Sequence, residues 1–178
     1  MRLATVRLNN EEQTVIIRND EVVLLRHLNE RLNKEYPLSL LPLIETDLLQ
    51  SLKRDCASLQ QEDWDAVQKL SLDEVHFVAP YRNPTHIFGV GMNYVEKAQD
   101  LQATPVDHAP VCFLKPATSL IGMNESIVLP RVSKRVTAEG ELSLIIGKRC
   151  FEVSEEEALD YVIGYTTSLD LTASDIHA

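Results

Sequence analysis

Apolar and polar residues alternate along the first part of the chain. Leu3, Ala4, Val6 and Leu8 mark an irregular period of two, and TVII (14–17) and VVLL (22–25) follow it after the polar stretches Asn9–Glu12 and Asn19–Glu21. Short apolar runs bounded by Asn and Asp clusters predict a small antiparallel meander. The period then lengthens. Leu28 and Leu32 stand four apart within 26–36, which predicts a short helix closed by Pro37. Asp47 is a candidate N-cap for a second helix over 48–60, with Pro42 ahead of it. Trp64, Val67 and Leu70 recur three apart and predict a third helix over 60–70, with Trp64 as a packing residue. Val75, Phe77 and Ala79 return to alternation.

Pro80, Asn83 and Pro84 then interrupt the pattern, and a boundary between a small N-terminal domain (1–80) and a second domain (85–178) is placed there. The second domain opens with an apolar run, 86–90, which predicts a buried strand. A short helix is expected over 95–101, a loop over 102–110, and strands at 111–114 and 127–129. Two longer β-rich runs close it, LSLIIG (142–147) and YVIGYTTSLDL (161–171). Many short strands separated by Gly, Pro and Asn predict a β-rich α+β fold rather than a parallel sheet with crossover helices. Gly89-Val90-Gly91 is too short to stand for a nucleotide-binding loop.

Composition narrows the partners. The chain has 178 residues, of which 44% are hydrophobic and 25% charged, with a net charge of −10. That excess of acid provides no basic stripe to neutralise phosphates, which argues against nucleic acid and against an anionic membrane surface. No apolar run of spanning length and no leader-like segment occurs. Cys56, Cys112 and Cys150 are far apart, with neither metal-type spacing nor a disulfide framework, and reduced thiols in the cytoplasm are the expectation.

Glu139 and Glu141 flank Gly140 at the start of the first long β-rich run. In a strand, residues two apart face the same way, roughly 6.5–7 Å apart. Carboxylates so placed repel unless a cation lies near them, and a hard divalent ion is one solution. A solvated strand face in an acidic chain is the other. Gly140 faces the opposite way, where its small size leaves room for another backbone.

Four segments taken together, FGVGMNYVEKAQD (88–100), APVCFLKPATSLIGMNESIVLP (109–130), AEGELSLIIGKRCFEV (138–153) and YVIGYTTSLDLTASD (161–175), resemble the fumarylacetoacetate hydrolase family in order, spacing and content. The resemblance covers 85–178 and is weaker over 1–80. It implies a mixed β-sandwich roll of the fumarylacetoacetase C-terminal type, with a small N-terminal α/β appendage. It also implies a Mg²⁺ or Mn²⁺ site made by Glu139, Glu141 and Asp170, a small 2-oxo acid or β-dicarbonyl acid as substrate, and a homodimer. The family's chemistry is C–C hydrolysis, decarboxylation or isomerisation through a metal-stabilised enolate.

The sequence departs from the family in three places. Hydrolysing members carry a histidine after the Asn-Tyr pair, followed three residues on by a glutamate. Lys97 and Asp100 stand there instead. Lysine is a poor base near neutrality unless desolvated, so Lys97 reads as a base, as a contact for a substrate carboxylate, or as a solvated helix residue. His86 and His108 are alternative bases. Decarboxylation and tautomerisation need no attacking water, so the change counts most against hydrolysis. Lys115, in the family's Phe-x-Lys segment, is the candidate substrate contact. Ser174-Asp175 replaces the family's usual Arg-Asp. Finally, the family's pattern runs several tens of residues beyond Asp170, whereas the sequence ends at Ala178, which makes the second domain incomplete by that measure. The alternative to an enzyme is therefore a catalytically inactive structural or regulatory paralogue, or a fragment of a longer enzyme.

Overall fold

The computed structural model describes residues 1–91, 94 and 111–176. Three strands open the chain: β1 (Arg2–Leu8), β2 (Glu11–Arg18) and β3 (Glu21–Leu24). They pair antiparallel, as the alternation requires. The turns between them place Asn9, Asn10, Asn19 and Asp20 at positive φ, the left-handed conformation that Asn and Asp tolerate best among residues with a side chain. Four short helices follow: α1 (Leu25–Leu32), α2 (Leu40–Glu45), α3 (Leu48–Ser58) and α4 (Gln61–Asp65). Two short strands, β4 (Lys69–Ser71) and β5 (His76–Phe77), complete a sheet in the order β4-β3-β2-β1-β5.

The helices cover one face of this sheet. Leu25, Leu28, Leu43 and Leu52 are fully buried and pack with Ile16, Val23, Trp64 and Val67. Val6, Val15, Val22 and Leu24 form a second buried cluster. Tyr36 donates from its hydroxyl to Asp55 at 2.7 Å. Burial first, and that hydrogen bond second, push the phenol up to about 12.

Three expectations change here, and one helix is added. The third helix stops at Asp65, because Lys69 and Leu70 pair with β3. Leu40–Glu45 is helical despite Pro42, which lies within the first turn, where a missing N–H has no helical partner to lose. Asp47 does precede α3, but at φ 57 and without a side-chain cap. Residues 127–129 form no strand.

The second part is strand-rich as well. β6 (Ile87–Gly91) and β7 (Val111–Lys115) pair antiparallel. β8 (Val136–Ile146) and β9 (Val162–Ala173) form a long hairpin, with the short helix α5 (Glu155–Ala158) in its connection. Ser154 caps α5, accepting from the Glu157 N–H. The architecture is therefore α+β and strand-rich, with antiparallel pairing throughout the described residues. No helix among them is long and apolar enough to cross a membrane. The expected helix 95–101 lies outside the described residues.

Several contacts among the described residues join the first sheet to the second part. Ile145 and Ile163 pack against the helical core. Arg82 bridges Glu12 at 2.8 Å and Glu125 at 2.9 Å, with Arg7 also on Glu12 at 2.8 Å. Arg82 first, and then the Gly122 N–H that donates to Glu125 at 2.8 Å, lower the Glu125 carboxyl to about 2. Gly122 lies so close to the first part that a Cβ there would sit 2.6 Å from the Ala79 nitrogen.

Candidate functional site

The β8–β9 register decides which side chains meet. Glu139 lies directly opposite Asp170, and Glu141 opposite Ser168. Residues opposite one another share a sheet face, with Cβ atoms roughly 4.5–5.5 Å apart. Since Glu139 and Glu141 are two apart on one strand, all three carboxylates lie on one face. That face is the more sheltered one: Glu139, Glu141, Ser143 and Ile145 are half-buried, while Ala138, Gly140, Leu142 and Leu144 are exposed. Ile145 seats one end of the face on the N-terminal core. The carboxylates occupy the other end.

Lys115 reaches this end from the neighbouring hairpin. Its Nζ is 2.5 Å from Asp170 Oδ1 and donates to the Leu171 carbonyl at 2.8 Å. The same ammonium lies 5.6 Å from the centre of the Phe113 ring. Lys115 and Asp170 are each about three-quarters shielded, with side-chain exposures of 27% and 22%. A shallow recess of about 370 Å³ opens beside the pair, lined by Phe113, Lys115, Leu171, Thr172 and Ile176 among others. It joins a cation to an apolar wall, which suits a small organic anion.

The structure thus brings Lys115, Asp170, Glu139 and Glu141 to one end of one face. Lys97, Asp100 and His108 lie outside the described residues. His86 does not join the carboxylates. It is exposed and stacks on Phe88 at 5.9 Å, and Phe88 pairs with Leu114 on the opposite face of its hairpin from Lys115.

The site differs from the expectation in detail. Among the described residues, no three His, Cys, Asp or Glu side chains converge closely enough to hold an ion as they stand. Register and donor type match a hard cation, but the side chains must rotate to enclose one, and Asp170 is turned to Lys115. Around Gly140, no atom of the described residues other than its chain neighbours lies within 4 Å of where a Cβ would be, so none of them makes a close backbone approach that calls for glycine. Two features escaped the sequence reading. Ser143 and Ser168 join hydroxyls at 2.7 Å across the hairpin; extending the Glu139, Glu141 alternation by one step would have found Ser143. Asp175 accepts from the Ser133 hydroxyl at 2.5 Å and the Lys134 N–H at 2.6 Å. Those bonds hold its carboxyl below the usual range and tie the end of β9 to the turn before β8. Spacing carries no signal of that long-range contact.

The chain is similar to known proteins. A model of the fumarylacetoacetate (FAA) hydrolase C-terminal family matches residues 86–178. An uncharacterized protein of Pyrococcus abyssi is 52% identical over 95 residues, which make up 53% of this chain and 42% of that protein. A mitochondrial oxaloacetate tautomerase of Xenopus laevis is 40% identical over 106 residues, 60% of this chain and 33% of the tautomerase. Among solved structures, maleylpyruvate hydrolase from Sphingobium sp. SYK-6, in complex with manganese (II) ion and pyruvate, superposes with a TM-score of 0.72 at 26% identity. The match covers 96% of this chain and 58% of that one. The chain spans less than half the length of these curated relatives.

Proposed function

The chain belongs to the fumarylacetoacetate hydrolase family, and from that premise we propose that it acts with Mg²⁺ or Mn²⁺ on a small 2-oxo acid, interconverting keto and enol forms of an oxaloacetate-like substrate. The family's enzymes include tautomerases, hydrolases and isomerases. One observation carries the reading: Glu139 faces Asp170 in register, Glu141 shares their face, and Lys115 reaches the same point. Three carboxylates offer the oxygen donors a hard divalent ion takes. Such an ion, when bound, supplies a Lewis acid to the adjacent carboxylate and keto oxygens of a 2-oxo acid.

This chain's residues do the rest. Lys115 holds the substrate's carboxylate against the recess, and Phe113 and Leu171 exclude water from one side of it. Tautomerisation then needs one proton moved. The C3–H bond breaks, its electron pair forms the C2–C3 double bond, and the 2-oxo oxygen takes up a proton. No water is consumed, so the histidine that hydrolysing members use to activate water is not required. Lys97 and Asp100 are the residues we assign to carrying that proton. Hydrolysis of a β-dicarbonyl acid is the alternative within the family, and it would need a different base. A catalytically inactive paralogue is the second reading, favoured by the carboxylates' failure to converge.

Calorimetric titration of Mn²⁺ into the 178-residue chain, with and without oxalate, tests the proposal. Oxalate should bind when Mn²⁺ is present and not otherwise, and Mn²⁺ should raise the melting temperature. Glu141→Ala should abolish that rise. No heat of Mn²⁺ binding at millimolar metal would sink the reading.

A further inference from the structure

We infer that Arg135 is a specificity-determining residue: it takes the second carboxylate of a dicarboxylic 2-oxo acid whose first carboxylate lies on Lys115. The inference rests on the 2-oxo-acid reading above and deepens it, but it needs no ion. The strand register carries it. The β8–β9 ladder continues past Val136 and Ala173, because the Ser174 N–H donates to the Arg135 carbonyl at 3.0 Å and the Ser174 hydroxyl donates to the same oxygen at 3.3 Å. Arg135 therefore stands opposite Ser174. Stepping by two along each strand from Glu139 and Asp170 leads through the Thr137–Thr172 pair to this one, so Arg135 belongs to the face that carries the carboxylates.

Thr172 lines the recess beside Lys115, and Arg135 is its diagonal neighbour across the ladder. Such neighbours lie roughly 7–8 Å apart, within reach of a long side chain. Arg135 is exposed, and among the described residues no ion pair holds its guanidinium. Asp175 is turned elsewhere, accepting from the Ser133 hydroxyl and the Lys134 N–H. The Lys115 ammonium has three N–H donors. Asp170 and the Leu171 carbonyl take two of them, which leaves one for a ligand. Two cations and an apolar lining from Phe113, Leu171 and Ile176 suit a short aliphatic chain with a carboxylate at each end. Oxalate, whose carboxylates are bonded directly to one another, is too short to reach both cations. The sequence supplies an independent sign. The family's usual arginine is replaced by Ser174, and Arg135 returns a guanidinium to the same face from the facing strand.

Calorimetry on the metal-free 178-residue chain at low ionic strength tests the inference, with succinate and butyrate as probes. The parent should bind succinate at least about tenfold more tightly than butyrate, the scale of one further charge-assisted pair. Arg135→Gln should weaken succinate about tenfold and leave butyrate within about twofold, which abolishes the preference. Lys134→Gln removes the same charge one residue out of register and should keep the preference. Adding Ser174→Arg to Arg135→Gln should restore it. Melting temperatures show that each variant is folded. A parent that does not prefer succinate overturns the inference. So does an equal loss in Arg135→Gln and Lys134→Gln, which would trace the preference to net charge. The ion plays no part in these measurements. A failed Mn²⁺ titration would therefore sink the metal reading alone, and a succinate affinity indifferent to Arg135→Gln would sink this inference alone.

Discussion

The first sheet and the second part use the same strand chemistry and end with opposite faces sheltered. Around β1–β3 the apolar side chains lie inside, and Leu25, Leu28, Leu43 and Leu52 fill the space under the helices. Beyond Ala79, no described residue is buried to that degree. There the sheltered face of β8–β9 carries carboxylates, while Leu142, Leu144 and Leu169 are 56%, 49% and 62% exposed. β6–β7 likewise exposes Phe88 and Leu114. The difference lies in what covers each sheet. Helices α1–α4 follow β3 directly and fold back over the first sheet, so its apolar face is covered from within the same stretch of chain. Neither hairpin has a comparable helix among the described residues. Their pairing is set by backbone hydrogen bonds and register, and burial contributes little to it.

The largest test of this contrast is a pair of truncations. Leu28→Ala should cost about 2–5 kcal/mol of stability, the usual range for emptying a buried leucine site. Leu144→Ala should cost less than about 0.5 kcal/mol, as for an exposed position. Urea unfolding of both variants compares them, and an equally large loss at Leu144 would break the contrast.

Gly122→Ala probes where the two parts touch. Its Cβ would press on the backbone at Val78 and Ala79, and destabilisation of about 1–3 kcal/mol is expected, the scale of overpacking. Thermal unfolding measures it.

The Arg82 bridge predicts a pH dependence. Arg82 first, with the Gly122 N–H, depresses Glu125 from 4.5 to about 2. A depressed carboxyl stabilises the folded form fully above its unfolded value and loses that contribution as pH falls through its folded value. Protection of the Gly122 amide against hydrogen exchange should therefore hold above pH 4.5 and fade as pH approaches 2. Glu125→Gln should lower the protection at neutral pH and flatten the profile. A parent profile already flat would count against the bridge.

The smallest effect belongs to Gly140→Ala. With open space around this position, the melting temperature should stay within a degree or two, a shift that corresponds to a few tenths of a kcal/mol. A large drop would reveal a close neighbour at the exposed face.

Much of this could be read in advance. The meander, the helical leucines and the two long strands all follow from local periodicity, which needs only neighbouring residues. Asn and Asp at the turns supplied the same signal through their tolerance of positive φ. The errors fall where distant pairing overrides local preference. Lys69 and Leu70 continue a helical pattern, yet they pair with β3. Ile127–Leu129 look like a strand and pair with no strand among the described residues.

The site divides in the same way. Spacing by itself put Glu139 and Glu141 on one face, because the alternation of strand side chains is a local property. It could not show that Asp170 stands opposite Glu139, since that depends on the register of strands about thirty residues apart. Nor could it show that Lys115 rests on Asp170, or that Asp175 holds the turn before β8. Which residues are chemically available is written in the sequence. Which of them meet, and whether the cation beside Asp170 is a lysine or a metal, depends on contacts between segments far apart in the chain, and only the tertiary structure brings those together.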